Sequence, residues 1–301
     1  MKIAVPAHIT GFFYPVIKEN PIKSGSLGAG FSIAKYVFTT VKFKDSSNLR
    51  IRIFFNGIDR TMEARTSLTA AKEILERAEI FRGEFIVSHE FQVPIGCGLS
   101  SSGAGALGVV FGINEVLDLG FSREELARIA HISEVKQRTG LGSVIAQYDG
   151  MFEIRLSPGA PGIGRVLRIP KDWEVLILVW ERIETPTMLA SKDFIEKVQR
   201  AFSNKLVKLT SNPTLTEFVK LSRDFSEKIG LMNNTLAKAL SLFVEKGYQG
   251  SMLMIGRGIF LIREEFGERI NFKEVLRKLN TGKIKYFACT KMENFGVRII
   301  G

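Results

Sequence analysis

The chain has 301 residues, 45% hydrophobic and 24% charged, enough for a sizeable core and unlike a disordered segment. No apolar run is long enough to cross a bilayer. Met1-Lys2-Ile3-Ala4-Val5-Pro6 has no apolar signal core, so a cytoplasmic protein with no membrane partner is expected. Two cysteines without a CxxC spacing and three scattered histidines argue against a disulfide framework and a structural zinc site. The net charge of +11 favours anionic partners. The basic residues are spread along the chain rather than clustered, so no nucleic-acid partner is expected.

The first two-thirds alternate strand-like and helical stretches. Lys2 to Val5, Phe31 to Lys44, Ile51 to Asn56 and Glu84 to Phe91 read as strands, with a helix from Thr66 to Arg82 before the last. Ser100 to Leu117 opens on serines and continues apolar at helical spacing. Ser122 and Glu125 fit a capping box for a helix ending near Arg138. Met151 to Leu156 is a strand, followed by a Pro/Gly-rich stretch. We place a domain boundary near Pro170, giving units 1–170 and 171–301. The second begins with the apolar strand Glu174 to Trp180. A long helical region, about 185–266, follows with breaks near Asn212-Pro213 and Gly247. A strand pair, about 283–288 and 296–300, ends the chain, so the second unit reads as α+β.

The sharpest motif is Pro94-Ile95-Gly96-Cys97-Gly98-Leu99-Ser100-Ser101-Ser102-Gly103-Ala104-Gly105, between a predicted strand and a predicted helix. Glycines let backbone approach an anion closely, and a helix start aims free N–H groups at it. Serine hydroxyls can donate to phosphate oxygens or ligate Mg²⁺. No lysine stands where a Walker-type loop needs one. A tight, small-residue connection is the bland alternative, and three serines between glycine pairs at a helix start weigh against it.

Pro-x-Gly-x-Gly-Leu-x-Ser-Ser resembles the ATP phosphate loop of GHMP kinases. That resemblance implies an α+β fold of two domains, one ribosomal-protein-like and one ferredoxin-like. It also implies an ATP-dependent small-molecule kinase that uses Mg²⁺ and is often a homodimer. Pro94, Gly96, Gly98, Leu99, Ser100, Ser101, Ser102, Gly103, Ala104 and Gly105 would then hold the nucleotide, with Ser102 on the metal. Pro6-Ala7-His8-Ile9-Thr10-Gly11-Phe12-Phe13 and Ser24-Gly25-Ser26-Leu27-Gly28-Ala29-Gly30 are similar to the archaeal pantoate kinase group of that superfamily. Without that context, the second run is an ordinary glycine turn.

His131 and Glu134, three apart on one helix, share a face. The resemblance makes Glu134 a second Mg²⁺ ligand. It makes His8, Thr10, Ser26, His131 and Arg155 contacts for the acceptor, pantoate, whose product would feed coenzyme A synthesis. Without the resemblance, His131 is equally a hydrogen-bonded core histidine and Arg155 a surface charge. Ser102, Glu134 and Ser143 are the expected catalytic positions. Ser143 stands where the group usually has Asp, and a serine cannot accept a proton at neutral pH as a carboxylate can. Three explanations stand open: catalysis by positioning and charge, substitution by nearby Asp149, or altered activity. Ser251 to Gly258 fits the helix that closes over the site in the family, or a packed amphipathic helix. Homoserine, shikimate or a mevalonate derivative as acceptor, and a non-catalytic nucleotide- or nucleic-acid-binding protein, are the rival readings.

Overall fold

A computed structural model describes residues 1–181, 191–244, 246–264 and 284–301. The first sheet holds β1 (Lys2–Val16), β2 (Gly25–Lys44), β3 (Leu49–Phe55), β4 (Ile58–Asp59), β5 (Gly83–Phe91), β6 (Phe152–Arg155), β7 (Val166–Ile169) and β12 (Arg298–Ile300). Its order is β12-β1-β2-β5-β3-β4, with β6 joining β2 to β7. Helices α1 (Arg65–Arg77), α2 (Ser101–Leu117), α3 (Arg123–Gln137) and α4 (Ser143–Asp149) belong to this part. The α3 capping box is present in both of its hydrogen bonds, as the sequence predicts.

The second sheet is β11 (Tyr286–Lys291), β8 (Glu174–Glu181), β10 (Arg257–Arg263) and β9 (Gln249–Met252), in that order and antiparallel throughout. Helices α5 (Lys192–Phe202), α6 (Lys205–Ser211), α7 (Leu215–Lys228) and α8 (Asn234–Val244) precede β9. We propose residue 170 as the division between the units, with β12 then crossing back to the first sheet. Among the described residues no helix is long and apolar enough to cross a membrane.

Several predicted elements differ. β2 begins at Gly25 rather than Phe31, so the run predicted as a glycine loop is strand paired with β1. β1 does not stop at Val5. It continues through Pro6 because register shifts at Pro6/Ala7 and Thr10/Phe12 absorb the missing N–H and the glycine. The predicted helical region gives way to strand at Gln249, where residues 249–263 form the β9–β10 hairpin, and its parts at 185–190 and 265–266 lie outside the described residues. Ser251 to Gly258 is therefore strand, turn and strand, not a closing helix. The two C-terminal strands do not pair with each other: β11 lies on β8 and β12 on β1.

β1 and β2 sit between helices on both sides, which is why β1 is almost continuously apolar. Against the first sheet, α2 lies unusually close. A Cβ at Gly108 would collide with Thr39 and one at Gly112 with Val41 of β2. On the other side an aromatic cluster joins the two sheets. Phe31 meets Trp173, Phe218 and Phe260 edge-on, with ring centres 5.8, 5.9 and 5.6 Å apart. Such pairs add about 0.5–1.5 kcal/mol each beyond their buried area.

His89 of β5 is buried between Thr39 Oγ1 (2.8 Å from Nδ1) and Ser67 Oγ (3.1 Å from Nε2). Burial pushes its pKa down to about 3. Below pH 6.5 the unfolded chain binds a proton there and the native one does not, so stability falls with pH down to about 3. The slope is about 1.4 kcal/mol per pH unit, or about 2 kcal/mol between pH 7 and pH 5. His8 and His131, also held low by burial, act with the same sign. Urea unfolding at the two pH values should show this loss, and His89→Gln should flatten it by about 2 kcal/mol. An unchanged slope in the variant contradicts the assignment.

Candidate active site

A cleft opens where the two sheets meet. Its walls are Thr10 and Phe13 of β1, Ser26 of β2, Arg155 of β6, the loop and helix start from Gly96 to Ser102, and Thr139 to Ser143. Met254 and Ile255, on the turn between β9 and β10, complete it. That turn packs on the glycine-serine loop. Gly98, at φ +77°, would place a Cβ 2.5 Å from the Met254 carbonyl oxygen, so only glycine lets the two backbones meet.

The loop feeds α2 through Ser100, which is left-handed at φ 56° and gives the helix no side-chain cap. The first N–H groups of a 17-residue helix thus begin at the cleft without a side-chain cap among the described residues. This arrangement suits a phosphate. Four of the residues predicted for the loop stand outside the cleft lining: Pro94, Gly103, Ala104 and Gly105. Gly103 and Gly105 are small for packing. A Cβ at Gly103 would press on Gln147 and Ser143, and one at Gly105 would lie 2.8 Å from Ser67 Oγ.

Glu134 is buried in α3 just behind the lining. Ser102 Oγ donates to its Oε1 at 2.8 Å, and Ser143 Oγ lies with the Glu134 carboxylate around Gly140. Burial nevertheless pushes its pKa up to about 7, and no cation among the described residues opposes that. Ser143, the first residue of α4, lines the cleft near Glu134. Asp149, at the far end of α4, pairs with Arg168 at 2.8 Å and does not line the cleft. Asp149 is thus engaged away from the cleft.

Arg155 is buried to 1% exposure yet lines the cleft. Its Nη1 donates to Glu153, and its Nε, also buried, has no partner among the described residues. Glu153 was not singled out from the sequence. The signal was present: Phe152-Glu153-Ile154-Arg155 alternates, which puts both charges on one strand face. Phe13, Thr139, Gly140, Leu141, Gly142, Met254 and Ile255 were likewise not predicted as site residues. Neither His8 nor His131 reaches the lining. His8 Nε2 donates to Glu153 Oε1 at 2.8 Å. His131 Nε2 donates to the Ser24 carbonyl at 2.9 Å, anchoring the approach to Ser26.

Residues 65–150 match the family model for the N-terminal domain of GHMP kinases. The pantoate kinase of Thermococcus kodakarensis is 34% identical to this chain over 93% of each. That of Methanocaldococcus jannaschii is 33% identical over 86% of this chain and 92% of its own. A structure solved as a phosphotransferase related to the CoA biosynthesis pathway superposes with a TM-score of 0.82. It is 28% identical and covers 99% of this chain and 98% of its own. Homoserine kinase from Cytophaga hutchinsonii, 15% identical with a TM-score of 0.70 over 100% of this chain and 97% of its own, shares the fold. The two sheets with their helices are accordingly the two-domain α+β GHMP kinase fold, and the chain belongs to the pantoate kinase family of the GHMP kinases.

Proposed function

We propose that the protein transfers the γ-phosphoryl group of ATP to the primary hydroxyl of pantoate, giving 4-phosphopantoate and ADP for coenzyme A synthesis. The observation that carries this reading is a buried arginine with an unpartnered Nε, across one cleft from an uncapped helix start. The first suits the acceptor's carboxylate and the second the donor's phosphates. Thr10 and Ser26 line the acceptor side. The Gly96 to Ser102 backbone would cradle the triphosphate.

Ser102 Oγ and Glu134 Oε1, 2.8 Å apart, are hard oxygen donors of the kind Mg²⁺ takes. A buried carboxylate with no cationic partner also fits such an ion. When bound, Mg²⁺ supplies charge neutralisation for the β- and γ-phosphates. His8 and His131 support the site from behind, through Glu153 and Ser24.

Among the described residues, no unpaired carboxylate lines the cleft to serve as base. Phosphoryl transfer through a loose transition state rests mainly on positioning and charge, so the chain's own residues suffice. ATP consumption by the purified protein, measured on pantoate, homoserine, shikimate and mevalonate, tests the proposal. Turnover on pantoate alone is expected; activity on another acceptor without pantoate, or none at all, contradicts it. Ser143→Asp is expected to change kcat by less than about 10-fold, because the transfer rests on positioning and charge rather than on a general base, which would contribute about 10²–10⁴-fold. A gain of about 100-fold would show that the missing carboxylate limits this enzyme.

A further inference from the structure

The sequence run Ser24 to Gly30 was read as acceptor contacts, but two of its glycines do something else. β6 pairs antiparallel with β2 so that Gly28 lies opposite Arg155 and Gly30 opposite Glu153. Cross-strand partners share a face, so these glycines leave the space that the two long side chains fill. A Cβ at Gly30 would lie 2.5 Å from His8 Nε2, and one at Gly28 3.0 Å from Arg155 Nη2. The backbone has been cleared for a wholly buried cluster of His8, Glu153 and Arg155.

Glu153 Oε1 is the hub. It accepts from Arg155 Nη1 and from His8 Nε2. His8 Nδ1 in turn sits 3.5 Å from Ser100 Oγ, at the start of α2. An arginine presents donors in a rigid planar fork, so fixing one nitrogen fixes the plane and direction of the others. With Nη1 taken by Glu153, Nε remains unpartnered. Gly142, in the cleft wall, lies beside that Nε, and a Cβ there would come within 2.9 Å of it, so glycine leaves the guanidinium its place.

We infer that Glu153, steadied by His8, is a positioning residue that fixes the plane of the Arg155 guanidinium in the cleft wall, and thereby selects an alcohol carrying a carboxylate. The inference rests on the reading of Arg155 as the carboxylate anchor. Position and charge make different demands on Glu153. Glu153→Asp keeps the charge and withdraws the carboxylate by one methylene. Glu153→Gln keeps an acceptor oxygen at the same reach and loses the charge.

The experiment is steady-state kinetics of both variants on pantoate and on its primary amide, which has the same hydroxyl and no carboxylate. Thermal melts accompany it, with Arg155→Lys as control. Glu153→Asp should raise the KM for pantoate by about 10- to 100-fold, leaving kcat at saturation and the KM for ATP near their native values. Glu153→Gln should raise that KM less than Asp does. Turnover of the amide should be no worse in Glu153→Asp than in the native protein. His8→Gln, a milder change, should raise the same KM about 3- to 10-fold, and serves if Glu153→Asp does not fold.

If Arg155→Lys costs nothing on pantoate, the anchor reading fails and the inference with it. If Arg155→Lys costs activity while Glu153→Asp keeps the native KM, the anchor stands and the positioning role is overturned. A lowered melting temperature in Glu153→Asp with pantoate and amide affected alike would make Glu153 merely structural, and also overturns it.

Discussion

Arg155→Lys is expected to raise the KM for pantoate by about 100-fold while leaving the KM for ATP unchanged. The guanidinium offers parallel donors in a fixed plane, and a carboxylate matches that spacing. A lysine ammonium keeps the charge but not the fork. Hydrogen bonds to charged groups are worth about 1.5–3 kcal/mol each, so losing one or two corresponds to roughly 10- to 1000-fold in affinity. Lysine is more informative than alanine here. Arg155→Ala would leave Glu153 buried without its cation, and stripping one partner from a buried pair destabilises by about 3–5 kcal/mol. Substrate-saturation kinetics on both substrates decide the matter. A variant with a native KM for pantoate, or one weakened equally for ATP, contradicts the anchor role.

Glu134→Gln is expected to lower kcat by about 100- to 1000-fold and, at the same time, to make the ligand-free fold more stable. The loss of turnover follows from removing a charged oxygen aimed, with Ser102, at the place where phosphate charge must be neutralised. The gain in stability follows from burial. Unfolded, this carboxyl ionises near 4.5; folded, it holds its proton up to about 7. Folding is therefore penalised increasingly as pH rises from 4.5 to 7 and by about 3 kcal/mol above it. An amide carries no such penalty and still bonds to the surrounding hydroxyls. Melts at pH 8 without divalent ions, beside turnover with Mg²⁺ and ATP, read both effects. A variant less stable than the native chain, or one turning over within 10-fold of it, contradicts this account of Glu134.

The opposite signs of those two effects reflect how the site is built. The fold leaves the buried Glu134 carboxyl without a cationic partner among the described residues, which on the proposed reading a metal cation supplies. Arg155 repeats the pattern with the other sign: it is half satisfied by Glu153, and its Nε has no protein acceptor.

Local chemistry was readable from the chain. The loop from Gly96 to Ser102 and the start of α2 are contiguous, so their residue types alone indicate the loop-to-helix turn that the structure places at the cleft. The same holds for the α3 capping box, where Ser122 and Glu125 satisfy each other within one turn. Errors arose where distant pairing overrode local signals. Pro6 and Gly11 look like an end to β1, yet pairing with β2 carries the strand on to Val16. Residues 249–263 look helical in isolation because a short apolar run has no decisive period. Burial against β8 makes them a hairpin.

The same division runs through the site. The sequence by itself determined which chemistry is available: a glycine-serine loop, a carboxylate at Glu134, a guanidinium at Arg155, and no carboxylate at position 143. Only the tertiary structure decided which groups meet. His131 shares a helix with Glu134, yet it bonds to Ser24 while Glu134 bonds to Ser102. Helical spacing states which residues share a face, not what that face meets. Glu153 and His8, 145 positions apart, become partners because strand register sets Gly30 opposite Glu153 and leaves room for the imidazole between them.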